Sequence, residues 1–360
     1  MGFFERGDDP DPEQAESLER IEGGGIPRRV EERLKGLATE GSLFTSGLSV
    51  NEFALLGRLG PEPIAQVMGA SVVRTGWQYL PALDPGTISF TGTPWSGPTP
   101  TGRALANRYT EASAAQVRNY QWLADVVCEL GVLTDAWNTA RRRAVDRLRE
   151  EALQVGADVI VGVRLQRSDH DFGKGTIEYV VTGTAIRLPG SAGTAWPIVT
   201  DVSVQDYWRL HSSGHEPVGF VATTTVVFAS PPRSTRLRRL RTTSQNQELE
   251  ELSRGFHAAR QTVRARLLGQ LSDAHAVGAV GVEISHSVHR EKFALASSLA
   301  SEGHRGWHVG RFGLPYRVSG RTDIERRGWV ITMHAAGTAI RPQQGASEQS
   351  VKTAMRMGSR

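Results

Sequence analysis

The chain has 360 residues, 39% of them hydrophobic and 22% charged, and a formal net charge of +4. That balance suits an ordinary soluble protein and is too mild to imply nucleic acid as a partner. The single cysteine, Cys128, excludes an intramolecular disulfide and any Cys-rich zinc or iron–sulfur centre. No stretch approaches roughly 18 consecutive apolar residues, so no membrane span is expected. The opening MGFFERGDDPDPEQ lacks the basic-then-apolar pattern of a secretory signal, which makes a cytoplasmic location the expectation.

Residues 1–41 read as a flexible segment, acidic and Pro/Gly-containing at first, with one short helix at Arg28–Leu37. Ser49 with Glu52 three positions later has the spacing of a capping box, Gly60 closes that helix, and Ala70–Val73 reads as strand. Leu80–Gly102, rich in Pro, Gly and Thr, predicts a long loop, and Ala104–Leu130 an extra helix. Cys128 lies in the apolar run WLADVVCEL and reads as a buried small hydrophobe. Next, Ala136, Ala140, Ala144, Leu148 and Ala152 recur at every fourth position, and so narrow a stripe of small residues predicts a helix lying close across a sheet. Arg141, Arg142, Arg143, Arg147 and Arg149 take other positions of this helix and read as a solvated face. Asp158–Val163 and Thr176–Arg187, joined by a Gly-containing loop, predict an antiparallel hairpin.

The pattern then returns. Ser203–Val227, SVQDYWRLHSSGHEPVGFVATTTVV, aligns without a gap on Ser49–Val73, SVNEFALLGRLGPEPIAQVMGASVV, 154 residues earlier. Glu248–Val282 aligns on Glu129–Val163 at an offset of 119, and Gly337–Arg341 repeats Gly183–Arg187 at 154 again. The first copy therefore carries 35 extra residues before its long helix and the second carries 35 in its last loop, where packed units tolerate insertion. Each copy reads β-α-β-β: one helix over a three-stranded antiparallel sheet whose edges are left for other copies. The linker Pro189–Ala195 spans at most about 25 Å, which places the copies side by side.

SVNEF, then EP before a Gly/Ser-rich strand, a helix running into EALQVGADVIVGVRL, and TIEYVVTGTAIR together resemble the YbjQ-like family, often labelled heavy-metal-binding domain. The resemblance implies an α+β fold class: two tandem β-α-β-β (dodecin-like, YbjQ-like) domains, two-layer α/β with antiparallel sheet, ring-forming. Rings of the family commonly hold five domains with strands shared between neighbours; in a two-domain chain either each copy forms its own ring, so that five chains stack two rings, or the copies alternate around an even-numbered one. Domain 1 would cover 42–188, its long loop and extra helix at 74–130; domain 2 would cover 196–342, with an inserted loop at 290–327; and a disordered tail would follow at 343–360. The functional expectation is a non-enzymatic cytoplasmic homo-oligomer that binds a heavy metal or small ligand at inter-domain clefts, with a divalent metal as cofactor. Its alternative is a structural scaffold recruiting an anionic partner, nucleic acid or acidic protein, through an Arg-rich loop. The second copy departs from the pattern at His275, Val277 and Thr332, which stand where the first has Gly156, Asp158 and Glu178.

Candidate metal ligands are Asp169, His170, Asp171 and Glu178 in the first copy and His286 with His289 in the second. Soft metals want thiolates, which one Cys cannot supply in number. The histidine spacing of three converges on a helix but diverges on a strand. Glu62 and Glu216, matched across the repeat, are the cleft candidates. Arg233, Arg236, Arg238, Arg239 and Arg241 form the basic cluster for an anionic partner. No GxSxG, P-loop, HExxH or dinucleotide fingerprint is present, so no enzyme is expected.

Overall fold

The protein is described here by a computed structural model covering residues 12–23, 25–37, 45–76, 78, 80, 126–170, 175–191, 194–232, 235, 246–294, 307–309, 315–317 and 325–343. In chain order the first half holds α1 (Pro12–Glu22), α2 (Arg28–Leu37), α3 (Val50–Leu59), β1 (Glu62–Arg74), β2 (Val126–Glu129), α4 (Gly131–Gln154), β3 (Val159–His170) and β4 (Thr176–Arg187). The second holds β5 (Ile198–Val199), α5 (Val204–Ser212), β6 (His215–Ser230), α6 (Glu250–Asp273), β7 (Gly278–Ala294), β8 (Trp307–Val309), β9 (Pro315–Arg317) and β10 (Glu325–Pro342).

The fold is α+β, with two four-stranded sheets ordered β1-β4-β3-β5 and β2-β6-β10-β7. Three strands of each sheet come from one half and run antiparallel with the last strand in the centre. The fourth comes from the other half. β2 pairs with β6, from Val126 opposite Ser230 to Glu129 opposite Val227, and β5 runs parallel to β3. Each half thereby covers one backbone edge of its neighbour, an edge that would otherwise expose unpaired N–H and C=O groups.

Local sequence explains the elements. Ser49 accepts from the Glu52 amide while Glu52 accepts from the Ser49 amide, a complete capping box, and Gly60 ends α3 at φ 91°. Ser203 accepts from the Asp206 amide at 3.1 Å to start α5. Ala136, Ala140, Ala144, Leu148 and Ala152 are buried against the first sheet. The approach is so close that a Cβ on Gly69 of β1 would meet the Ala144 carbonyl oxygen at 1.9 Å. In the second half the glycine sits on the helix instead: a Cβ on Gly255 would meet Ile331 at 2.5 Å and Ala229 at 2.9 Å.

Several expectations are corrected. Pro12–Glu22, read as part of a flexible segment, is helix α1, and α2 beside it sends Arg33 to Glu151 of α4 at 3.3 Å. Val126–Glu129, read as the end of an extra helix, is a strand, because β-branched residues find a sheet edge there. The predicted inserted loop at 290–327 is shortened from both sides, since β7 runs on to Ala294 and β10 begins at Glu325. The arginines of α4 are not one solvated face: Arg142 and Arg143 are exposed, but Arg141 is buried. Arg147 donates to the Ala70 and Ile21 carbonyls at 2.5 and 3.1 Å, and the Arg149 guanidinium lies over the Trp196 ring at 4.3 Å. The expected loop at 80–102 and helix from 104 fall, apart from Leu80, β2 and Leu130, outside the described residues.

Gly69→Ala is expected to destabilise the protein by about 3 kcal/mol, since helix backbone must move. Gly57→Ala, where a Cβ meets nothing within 4 Å, should instead stabilise α3 by about 0.5–1 kcal/mol. Chemical-denaturation midpoints of the two variants check both signs.

Candidate functional site

A cavity of about 540 Å³ lies where the halves meet, walled by α4, β3 and β4 of the first and by β6, β7 and β10 of the second. At one end Arg141, only 6% exposed, donates through Nη1 to the Thr224 hydroxyl at 3.3 Å. The Thr224 oxygen is 2.9 Å from His334 Nδ1, and the Tyr179 hydroxyl is 3.5 Å from each of them. Trp137 presses edge-on against both rings, with centroids 5.6 Å from Tyr179 and 5.1 Å from His334. Asn138 fixes the strand behind them, donating to the Thr224 carbonyl at 2.9 Å and accepting its amide at 3.0 Å.

Burial, with Arg167 and Arg141 nearby, pushes the His334 imidazolium down to about 3, so the ring is neutral. Burial raises the Tyr179 hydroxyl and lowers the Arg141 guanidinium from their ordinary values. At the other end the Thr338 hydroxyl donates to Asp201, whose carboxyl is raised by burial and by the Glu283 charge. Arg167 crosses between the halves to the Ser285 hydroxyl at 2.9 Å.

None of these residues was a sequence candidate, although a signal existed. At the repeat offset of 154, Tyr179 aligns with Met333, His334 with Val180 and Thr224 with Ala70. A polar residue in one copy against an apolar one in the other marks a position the fold itself does not require to be polar.

The residues that were candidates lie elsewhere. Glu62, first in β1, and Glu216, second in β6, pair across the strand with Arg187 at 3.7 Å and Arg341 at 2.5 Å, the same contact in both halves. Asp169 and His170 end β3 opposite Ile177 and Thr176, and Glu178 is half-buried between Ser168 and Val72. His286 and His289 are exposed on β7, three residues apart and so on opposite faces, with His286 edge-on to Phe256. Asp171, Arg233, Arg236, Arg238, Arg239 and Arg241 lie outside the described residues.

A metal does not fit what is described. Among the described residues no three His, Cys, Asp or Glu side chains converge. The one thiol, Cys128, is pushed up to about 11 by burial and stays protonated, unfit as a soft-metal thiolate. Among the described residues no helix is long and apolar enough to cross a membrane.

Because His334 is held neutral in the fold, its contribution to stability is complete above pH ~6.5 and is lost as pH falls from there toward 3. Asp201, with its raised carboxyl, acts in the opposite sense. Comparison of wild type with His334→Gln isolates the histidine: the wild-type unfolding free energy should fall more steeply between pH 6.5 and 4.5, by up to about 1.4 kcal/mol per pH unit.

Comparison with known proteins places the chain. The YbjQ_1 family model, described as "Putative heavy-metal-binding", matches residues 110–189, which bears out the YbjQ-like resemblance over that span. The encapsulin nanocompartment protein Rv1762c of Mycobacterium tuberculosis is 32% identical over 265 residues, covering 71% of this chain and 84% of the relative. No solved structure matches. The relative overturns the expectation of a cytoplasmic YbjQ-like oligomer whose function is to capture a heavy metal or small ligand in its clefts. The donor geometry agrees, since the nominated metal ligands that are described do not come together. With 32% identity over 71% of this chain and 84% of the relative, this chain belongs to the family of that encapsulin nanocompartment protein.

Proposed function

We propose that the chain is a structural protein of a nanocompartment, non-enzymatic, that acts by associating with further copies of itself. The observation that carries the reading is a mismatch between equivalent positions. Val226 is buried at 1% exposure beneath the first half, while Val72, its counterpart in β1, is 60% exposed. Val204 is 3% exposed against Val159 and Val161 of β3, while Val50 is 84% exposed. Val163 is 5% exposed and its counterpart Val282 is 41% exposed, with Ile284 beside it at 55%. What one half buries against the other, it leaves open on its outer side.

The backbone follows the same rule. Residues 198–202 pair with β3: the Ile198 and Thr200 amides donate to Asp158 and Ile160, and those of Gly162 and Val163 donate to Val202 and Thr200. The equivalent groups are Ser46 and Leu48 at the start of the first half and the outer edge of β7 around Gly281, whose φ of 64° matches the 60° of Gly162. A side-chain counterpart exists too. Arg266 of α6 grips Glu129 of β2 at 2.6 and 3.0 Å. Its equivalent, Arg147, has a buried Nε without a hydrogen-bond partner among the described residues, and Glu248 is the residue that would supply one.

The two outer surfaces differ from one another, so the contact is head-to-tail, and repetition gives a closed ring or a continuing assembly. Tandem YbjQ-like domains and sharing of strands between chains are part of this reading.

In native mass measurement the wild type should run as multiples of the 39.2 kDa chain. Val72→Asp combined with Ile284→Asp should reduce it to single chains without lowering the unfolding midpoint of each half. A wild type that is a single chain at micromolar concentration would overturn the proposal.

A further inference from the structure

We propose that the arginine end of the cavity between the halves is a built site for a tetrahedral oxyanion, phosphate or sulfate, held as a structural counter-ion by Arg141, Arg167, Tyr179 and Thr224. The ligand is chemically the reverse of a metal cation, and its role is to hold two parts of one chain together.

The argument begins with an unbalanced charge. Arg141 is 94% removed from solvent, yet among the described residues neither it nor Arg167 has a carboxylate within ion-pair distance. A guanidinium taken out of water without a counter-charge is costly, and fold stability alone favours an apolar replacement. His334 cannot supply that charge in either protonation state, since an imidazole is neutral or cationic. Three carboxylates line the cavity: Asp201, which the Thr338 hydroxyl holds at the far end, Asp206, which pairs with Arg209 at 3.1 Å, and Glu283; none of them forms an ion pair with Arg141 or Arg167.

The donors present suit an oxyanion. A guanidinium carries five N–H groups in a planar fork, and Arg141 spends one of them on Thr224, at a long 3.3 Å. Arg167 reaches the same cavity from β3 and is near enough to depress the His334 ring by its charge. The Tyr179 hydroxyl lies within 3.5 Å of Thr224 and can donate to an anion without losing a shorter bond. At about 540 Å³, the space is large enough for an oxyanion and a hydration shell.

Internal comparison shows that the fold does not need this cluster. The equivalent positions in the other half are Arg260, Met333, Val180, Ala70 and, for Arg167, His286. Met333 fills the place of Tyr179 with apolar volume and is buried, and Arg260 is exposed. The polar set is therefore assembled once per chain, from both halves, where its only common feature is a cavity with excess positive charge at one end.

Calorimetric titration of the full-length protein with inorganic phosphate, in sodium chloride at matched ionic strength, tests the site. Saturable binding of about one phosphate per chain is expected, with sulfate competing, and Arg141→Met should weaken it about tenfold or more. If Arg141→Met fails to fold, Arg167→Gln on the exposed rim and Tyr179→Phe, which keeps the ring, read the same site and should each weaken binding several-fold. Arg260→Met should leave affinity unchanged. Absence of saturable binding, or wild-type affinity in both Arg167→Gln and Tyr179→Phe, overturns the inference. The mass of the same samples reports association between chains separately, so the two proposals fail independently.

Discussion

The structure depends on the exchange of edge strands between its halves. A β-α-β-β unit leaves one outer edge of its sheet bare on each side, and here β2 and β5 each cross over to cover one of the other half's edges. The crossing is reinforced where it is shortest. Beside four-residue β2, Arg266 forms a bidentate pair with Glu129 and also reaches the Thr225 hydroxyl at 2.8 Å, and the Leu130 amide donates to Val226. Beside two-residue β5, Asp158 at the mouth of β3 accepts from the Leu188 amide and the Ser191 hydroxyl, which fixes the linker that delivers the strand. Neither half has a complete sheet without the other, so the cavity between them is held by backbone pairing on two sides and is not a loose cleft.

Much of this was legible because the chain is read twice. The capping box at Ser49, the alanine stripe of α4 and the hairpin of β3 and β4 each rest on a local signal of one period or one turn, and the repeat restates each. The failures share a cause. β2 offers only the two β-branched residues Val126 and Val127 as a local signal; its partner, β6, lies about a hundred residues on, and that edge makes Val126–Glu129 a strand. The α4 arginines looked like a solvated face because periodicity reports the side of a helix that meets its own sheet. It does not report that Arg141 meets the other half. Glu62 and Glu216 were singled out for being charged and repeated, but their partners, Arg187 and Arg341, lie in the equally repeated GTAIR segment, and pairing the two motifs would have identified a strand-end ion pair.

The glycines show how the two halves differ in residues while sheet order and helix placement are the same. Gly156 ends α4 with φ 69°, and His275 ends α6 with φ 52°, the one non-glycine residue at positive φ among those described. The backbone keeps the left-handed turn although the residue that favours it has changed. The close approach of helix to sheet is likewise kept while the glycine that permits it moves from strand to helix, from Gly69 to Gly255. Sheet order and helix placement are thus the constraint, and individual residues are adjusted around them.

The same view explains why polarity is distributed as it is between the inner contact and the proposed outer one. Halves joined by a short linker meet at a high effective concentration, so their contact can hold a buried arginine, a neutral histidine and a tyrosine hydroxyl without losing the association. A contact between separate chains has no tether to offset the loss of translational freedom, and must draw on apolar area. The outer positions carry that area: Met68 and Val72 on one side, Val282 and Ile284 on the other, where the inner contact has Ala222, Val226, Val163 and Leu165. Duplication without a tether would leave both contacts under the same demand. With the tether, one is free to acquire a charged cavity and the other is held to packing, which is the asymmetry the two halves display.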